Sequence, residues 1–385
     1  MKKWLKRLMM AIAVLIALLG AGVVVIYVWV IERPTDNVAF ADMQPYVWNQ
    51  VTLGDGAMNS DGTPYHLLTR KGESDSWIVF FSGGGAAWDA ASAAQPIRLT
   101  NLLRGRDVGN YMDRMPWYQL TMLDGLLASE REDNPFRTWN VAYIPYSTGD
   151  FHIGNRQAEY TRADGEPFTM RYNGRTNVSA ALAWVYEHMS APDKLLIGGE
   201  SAGGFGAAFW GSEIASRYPE AQVYLYSDSS FLLSERWPQI VRDEWQAEPE
   251  TRLGFAPEAD LIGAATRSNG RRLPDHAVIL QSYSLYDQML ISFQRKLAPE
   301  QPLTPQDWSG QLRQAVAAMD EALPNYYYYV TDYGRDADSG MTGHTFATLG
   351  TLYETEQDGV RLIQWLGDLI NGEQRYSVGG EFLER

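Results

Sequence analysis

The sequence predicts an α/β fold in which a mostly parallel sheet is covered by helices on both faces. Continuous apolar runs, typical of buried parallel strands, alternate along the chain with segments of helical periodicity. Such alternation implies right-handed crossovers and a single sheet between helical layers. With 385 residues, of which 45% are hydrophobic and 21% charged, the chain can also bury a sizeable core.

Each predicted element follows from its local pattern. Apolar residues at helical spacing predict a helix before residue 190, and residues 202–218 predict another. Neither period is clear in residues 101–136 and 233–275, so we expect irregular caps there. The predicted strands are residues 77–82, 140–147, 194–200, 223–227, 277–282 and 326–331.

The N-terminus predicts a membrane-spanning helix. Four basic residues precede an uncharged run over residues 8–31: Lys2, Lys3, Lys6 and Arg7. About 20 apolar residues suffice to cross a bilayer as a helix. The run ends near Tyr27 and Trp29, which suit a membrane interface better than the small-residue cleavage site of a signal peptide. An uncleaved anchor is therefore favoured over a cleaved signal peptide.

These observations divide the chain into three parts. Residues 1–31 are the predicted N-terminal transmembrane helix, residues 32–44 a tether, and residues 45–385 a single globular domain. Positive charge before a span keeps the N-terminus inside. The domain is therefore expected outside the cytoplasm, in the periplasm or at the cell exterior, with the membrane as a partner of the N-terminal helix.

Charge and cysteine content exclude several functions. The formal net charge is −15, which would repel phosphate backbones and argues against nucleic acid as a partner. The absence of cysteine excludes disulfides and cysteine nucleophiles. His66, His152 and His188 lack metal-ligand spacing, and no P-loop follows the glycines near residue 84. We therefore expect no metal and no cofactor.

The most informative motif is GESAGG at residues 199–204, where a predicted strand turns into a predicted helix. A serine in this context occupies a nucleophile elbow, the sharp turn that characterises α/β-hydrolases. The motif therefore predicts an α/β-hydrolase fold with Ser201 as nucleophile. The alternative is a glycine-rich turn with an incidental serine.

A nucleophilic serine needs a histidine to take its proton and a carboxylate to orient that histidine. In this fold the chain order is serine, acid, histidine. His344 lies in a flexible segment after the last predicted strand, whereas His276 begins a strand, so His344 is favoured as the base. Asp287 follows the preceding strand and is favoured as the acid, with Asp228 as its rival.

Acyl transfer also needs hydrogen-bond donors for the oxyanion. The backbone N–H groups of Gly84 and Gly85, in the turn after the first central strand, and of Ala202 are candidates. An ordinary glycine turn is the alternative.

These residues resemble the pectin acetylesterase and Notum family of α/β-hydrolases. The resemblance rests on residues 82–88 (SGGGAAW), 134–150 (NPFRTWNVAYIPYSTGD) and 199–204, together with Asp287 and His344. It implies a serine carboxylic-ester hydrolase that removes acetyl or longer acyl groups, with Ser201, Asp287 and His344 as the triad. Members usually carry Trp-Cys where this chain has two alanines, so the resemblance does not specify the acyl group or the alcohol.

The favoured function is therefore deacetylation or deacylation of a carbohydrate or other alcohol ester, on a small molecule or a polysaccharide, through an acyl-enzyme on Ser201. Two alternatives from other classes stay open. One is a catalytically silent binding protein of the same fold. The other is an acyltransferase that uses the same triad.

Overall fold

A sheet of nine strands runs through this computed structural model, which describes residues 2–25, 31–54, 56–98, 109–372 and 374–383. Four further strands form two small two-stranded sheets. In chain order the strands are β1 Thr35–Asp36, β2 Trp48–Thr52, β3 His66–Arg70, β4 Trp77–Phe81, β5 Asn140–Ile144, β6 Arg156–Thr161, β7 Pro167–Tyr172, β8 Lys194–Glu200, β9 Gln222–Asp228, β10 Val278–Ser284, β11 Tyr326–Thr331, β12 Glu356–Gln357 and β13 Val360–Arg361.

The order of strands in the large sheet is β1-β2-β3-β5-β4-β8-β9-β10-β11. The last six strands in this order, which are β5, β4, β8, β9, β10 and β11, are parallel to one another. β3 is antiparallel to both its neighbours. Chain order reverses between β4 and β8. In open α/β sheets this reversal opens a crevice at the carboxyl ends of the strands, where ligands bind.

Twelve α-helices are described, and several of them cover the two faces of this sheet. They are α1 Lys2–Val25, α2 Ala90–Ala93, α3 Gln119–Met122, α4 Gly174–His188, α5 Ala202–Ser216, α6 Trp237–Gln239, α7 Pro249–Arg252, α8 Leu261–Arg272, α9 Gln288–Leu297, α10 Pro305–Ala322, α11 Thr351–Glu354 and α12 Leu362–Asn371, with a π-helical turn at Ile240–Glu244 and 3-10 turns at Phe40–Asp42, Gly125–Leu127 and Gly380–Phe382.

Alternating side chains of the strands divide the core into two layers. Val79 and Phe81 of β4 pack in one buried cluster with residues of α4, α5, α8 and α10, while Ile78 and Phe80 pack in the other with α12. All four side chains are fully buried, as expected for a parallel strand covered on both faces. The predicted mostly parallel α/β sheet is thus observed, and each of its six predicted strands is present within three residues of the predicted bounds.

The predicted irregular cap at residues 233–275 contains more regular structure than expected. It includes α6, α7, α8 and the π-helical turn. Asp260 caps the start of helix α8, because its side chain accepts a hydrogen bond from the N–H of Gly263, and the apolar face of the helix is buried. In the other predicted cap, residues 101–108 lie outside the described residues, and α3 and a 3-10 turn interrupt the remainder.

The prediction of an N-terminal transmembrane helix is wrong. Within the described residues, no helix combines the length and the apolar character that a bilayer crossing requires. Helix α1 begins at Lys2, so the basic residues assigned to the flank of a span lie inside the helix itself. Tyr27 and Trp29, assigned to the interface, lie outside the described residues. The membrane partnership is therefore unsupported, and the extracytoplasmic location stays a prediction.

Candidate active site

Ser201 lies in the turn between β8 and α5, at the carboxyl edge of the sheet. Its backbone has φ 54° and ψ −126°, a conformation that non-glycine residues rarely adopt. The Ser201 N–H donates to the carbonyl oxygen of Asp228 on the neighbouring strand, with an N···O distance of 2.8 Å. The turn is therefore held in a strained conformation by β9, and such strain is typical of functional sites.

The glycines around Ser201 allow this turn to pack tightly. A Cβ atom on Gly203 would overlap the carbonyl oxygen of Phe81, because the first turn of α5 passes directly over the end of β4. The same close approach brings the glycine turn after β4 to the serine. A Cβ built on Gly83 would lie 3.0 Å from the Cβ of Ser201. These contacts define the strand-turn-helix context that a nucleophile elbow requires.

His344 and Asp287 form a hydrogen-bonded pair. Nδ1 of His344 lies 2.7 Å from Oδ2 of Asp287. Since a carboxylate only accepts, Nδ1 carries the proton and Nε2 is left as an acceptor. Asp287 is buried, and its other oxygen accepts the N–H of Leu290, so the carboxylate also caps α9.

The charges around His344 stabilise its protonated form. Burial lowers the pKa of His344, but the adjacent Asp287 carboxylate outweighs burial, with smaller contributions from Asp228 and Glu200, and the net pKa is raised. A histidine whose pKa is raised by a neighbouring carboxylate suits proton transfer near neutral pH.

Asp228, the rival acid, is placed differently. Its Oδ2 accepts the N–H groups of Phe346 and Ala347, at 2.6 and 2.8 Å, and its Oδ1 accepts hydroxyl hydrogens from Ser229 and Ser282. Burial raises its pKa. The structure therefore brings Asp287, and not Asp228, into hydrogen-bonding contact with the histidine.

The three predicted oxyanion donors are next in sequence to residues that meet at the elbow, Gly83 and Ser201. Gly84 and Gly85 follow Gly83 in the turn against the serine, and Ala202 is the next residue in the chain. Gly85 has φ +79°, and a Cβ there would overlap the carbonyl oxygen of Asn110. Within the described residues, the N–H groups of Gly84, Gly85 and Ala202 donate to no protein acceptor, so they are free to bind a ligand oxygen.

The sequence analysis did not predict a buried polar cluster that lies behind the glycine turn. Nε2 of His152 donates to the carbonyl oxygen of Ser82 at 3.0 Å, and burial lowers the pKa of His152 to about 4, so the imidazole is neutral. Asp150, whose pKa burial raises to about 6, accepts the N–H groups of His152 and Gly174. Asp150 ends the motif at residues 134–150, and its position there is the signal that could have indicated this supporting role.

The remaining histidine after Ser201 lies away from the site. Nε2 of His276 is 3.0 Å from the carbonyl oxygen of Ala221, before the first residues of β9 and β10 and so at the opposite edge of the sheet. Among the residues that the structure describes, no group of three His, Asp or Glu side chains is arranged as a metal site.

A cavity of about 290 Å³ is formed by residues that follow the glycine turn in sequence, together with Asn110 and Lys296. Its lining is polar with one aromatic side chain, and Asn110 connects it to the oxyanion donors because its carbonyl oxygen lies against Gly85. Trp88 packs edge to face on Phe293, whose ring also approaches Gly85. The cavity is lined by Trp88, Asp89, Ala91, Ser92, Gln95, Asn110 and Lys296.

Comparison with known proteins identifies a matching family and solved structures with a similar fold. A family model for pectinacetylesterases matches residues 42–244, more than half of the chain. Two crystal structures of the Wnt deacylase Notum from Drosophila are similar at 17% sequence identity, over 86% of this chain and 95% of theirs, with TM-scores of 0.55 (crystal form I) and 0.56 (crystal form II). At this identity the similarity shows a shared fold. No curated protein matches the sequence.

Proposed function

Because the chain belongs to the pectinacetylesterase family, we propose that it is a serine carboxylic-ester hydrolase with Ser201 as nucleophile, His344 as base and Asp287 as orienting acid. Membership of this family supports an esterase-type hydrolase, and the serine mechanism is our proposal. The substrate we propose is an acetyl or longer acyl ester of a carbohydrate or other alcohol, on a small molecule or a polysaccharide.

The observation that carries this proposal is the 2.7 Å hydrogen bond between His344 and Asp287, at the sheet edge that also holds Ser201. It fixes the tautomer in which Nε2 can accept a proton. A serine hydroxyl is a weak nucleophile without such a base. Three chain segments that are far apart in sequence supply the three groups in the order that α/β-hydrolases use.

In the acylation half, Nε2 of His344 takes the proton of the Ser201 hydroxyl as Oγ attacks the ester carbonyl carbon. The carbonyl oxygen becomes an oxyanion, and Asp287 stabilises the imidazolium that forms. The tetrahedral intermediate then expels the alcohol oxygen, to which His344 returns the proton. The products are a free alcohol and an acyl group bound to Ser201.

In the deacylation half, water replaces the alcohol. His344 takes a proton from the water as its oxygen attacks the acyl carbon, and then returns a proton to Oγ of Ser201 as the acid leaves. The N–H groups of Gly84, Gly85 and Ala202 are the oxyanion donors in both halves. Each such donor typically lowers the barrier by about 3 kcal/mol.

The surroundings of the glycine turn support a substrate with a polar alcohol part. The adjacent cavity offers the side chains of Ser92, Gln95 and Asn110 with the ring of Trp88, a combination that suits hydroxyl groups and an apolar sugar face. Notum, which shares the fold, is named as a deacylase of Wnt. The acyl part of the substrate is therefore tested for chain length as well.

The experiment is a substrate panel on the full-length chain. Nitrophenyl acetate, longer nitrophenyl esters and acetylated polysaccharides are compared for the wild type and Ser201→Ala. We expect hydrolysis by the wild type and loss of turnover in the variant. Analysis of products with and without an added alcohol separates hydrolysis from acyl transfer. Equal turnover by Ser201→Ala, or no hydrolysis of any ester, would contradict the proposal.

A further inference from the structure

The segment that follows His344 is attached to two buried carboxylates. Consecutive backbone N–H groups of Phe346 and Ala347 donate to Oδ2 of Asp228. The next residue, Thr348, donates its hydroxyl to Glu200, at 2.7 and 2.8 Å from the two carboxylate oxygens, and its N–H lies 3.3 Å from one of them. Three successive residues are therefore bound by the ends of β8 and β9.

The same two carboxylates are connected to the nucleophile. Glu200 is the residue before Ser201, and the backbone carbonyl of Asp228 accepts the Ser201 N–H at 2.8 Å. Asp228 therefore contacts the nucleophile through its backbone and the segment of the base through its side chain. A shift in either contact changes the distance between Ser201 and His344.

His344 is fixed on its other side as well. The N–H of Thr342 donates to the carbonyl oxygen of Tyr286, and the hydroxyl of Ser284 donates to the carbonyl oxygen of Gly343. Thr345, directly after the histidine, has φ +63°, which a threonine adopts only when its surroundings impose it. The histidine is thus held between two attached segments.

Both carboxylates depend on this attachment. Within the described residues, neither Asp228 nor Glu200 forms an ion pair with a lysine or arginine, and both side chains are buried. A buried carboxylate is stable only when donors satisfy its oxygens. For Glu200, the donors are those of Thr348. For Asp228, two of the four donors are backbone N–H groups of the same segment.

We propose that Asp228 and Glu200 form a brace that holds His344 at the correct distance from Ser201, and that Asp228 is a positioning residue for ester hydrolysis. The brace acts mainly through its hydrogen bonds to residues 346–348, because the charges of Asp228 and Glu200 contribute less than that of Asp287 to the pKa of His344. This inference rests on the proposed roles of Ser201 and His344, and it assigns to Asp228 a function other than the triad acid.

The test compares two substitutions of Asp228 in the full-length chain. Asp228→Ala removes both hydrogen bonds that Asp228 accepts from this segment. Residues 346–348 then keep the bond of Thr348 to Glu200 and the bonds that the carbonyl oxygens of Ala347 and Thr348 accept from Leu126 and Asp124. We expect kcat to fall by about 100-fold, as for a small misplacement of a reacting group. Asp228→Asn keeps an oxygen for the two N–H groups, and its NH₂ can donate to the neighbouring hydroxyls. We expect kcat within about tenfold of the wild type, the effect of one hydrogen bond.

The readouts separate positioning from folding. Titration of Ser201 with a fluorophosphonate gives the concentration of competent enzyme, and kcat is expressed per labelled serine. In Asp228→Ala we expect KM to stay near the wild-type value. The acid limb of the kcat profile should move further to lower pH than in Asp228→Asn, because both variants lose the charge of Asp228 but only Asp228→Ala also loosens the contact between His344 and Asp287. A merely structural role would reduce the labelled fraction, leave kcat per labelled serine unchanged, and give Asp228→Ala and Asp228→Asn the same pH profile.

A second variant protects the test if Asp228→Ala does not fold. Thr348→Val conserves shape and removes only the hydroxyl that binds Glu200, and we expect it to lower kcat by about tenfold. The matched control is Asp260→Ala, which removes a carboxylate that caps α8 and binds no residue of the brace. We expect it to leave kcat per labelled serine unchanged.

Two results would contradict the proposal that Asp228 and Glu200 form a brace. One is wild-type kcat per labelled serine in both Asp228→Ala and Thr348→Val. The other is equal loss of kcat in Asp228→Asn and Asp228→Ala, which would mean that the charge acts directly. Failure of the proposed function is distinguishable, because the wild type itself would then hydrolyse no ester and Ser201 would not be labelled.

Discussion

Replacing Asp287 by asparagine tests how His344 is oriented. One oxygen of Asp287 accepts the Nδ1 proton of His344, and the other accepts the N–H of Leu290 at the start of α9. In Asp287→Asn only one of these positions can still be an acceptor. The capped N–H of Leu290 cannot accept, so the amide oxygen faces Leu290 and the NH₂ group faces the histidine. The imidazole is then forced into the tautomer with its proton on Nε2.

The size of the effect follows from this geometry. In the wrong tautomer Nε2 cannot take the Ser201 proton, and in a comparable triad this change lowers kcat by about 10⁴-fold. That factor corresponds to about 5.4 kcal/mol of activation free energy. Stability should change little, because asparagine and aspartate are similar N-caps. The loss of a negative charge at the start of α9 costs about 0.3–1 kcal/mol.

The assay is kcat with nitrophenyl acetate, together with the free energy of unfolding from urea denaturation. The equally buried Asp228→Asn is the control, for which we expect a far smaller loss of kcat. A kcat of Asp287→Asn above about a tenth of the wild-type value would refute the tautomer argument. A larger loss in Asp228→Asn than in Asp287→Asn would show that the acid is misassigned.

Three further predictions concern the base and the elbow. Since catalysis needs neutral His344 and the pKa of this group is raised, kcat/KM should fall as the pH drops through a midpoint above about 6.5, and a midpoint below 6.5 would contradict the coupling to Asp287. Gly203→Ala should lower the free energy of unfolding by about 1–3 kcal/mol because its Cβ meets the Phe81 carbonyl. Gly198→Ala, whose Cβ would have no neighbour closer than 3.5 Å, should cost less, and equal effects in urea denaturation would refute the close approach. His276→Ala should keep wild-type kcat, and an inactive, folded His276→Ala would mean that the base is misassigned.

The sequence predicted the parts of the fold that local patterns determine. Continuous apolar runs identify the six parallel strands, because strands covered on both faces need such runs. The first three strands and the hairpin β6–β7 were not predicted, since none of them contains a continuous apolar run. β1 is exposed, β2, β6 and β7 are only partly buried, and β3 is buried but has polar residues at three of its five positions. The family resemblance is confirmed by the match over residues 42–244.

The sequence also predicted only part of the candidate active site. Ser201, Asp287 and His344 have side chains whose chemistry limits the choices, and the structure brings the last two into contact. Asp228 was considered only as an acid, because its contacts are to backbone N–H groups more than 100 residues away, and such groups leave no signal in the sequence. The N-terminal span was predicted from hydropathy, which cannot show that the helix also includes the basic residues.

The most direct test of the serine mechanism is to locate the covalent adduct that a fluorophosphonate forms with the full-length chain. The adduct is located by mass spectrometry of peptides. A serine becomes reactive towards this reagent when a neighbouring base takes its proton. We predict a single adduct on the peptide that contains Ser201, and none in Ser201→Ala. An adduct on a different serine, or no adduct in an enzyme that hydrolyses esters, would contradict the account.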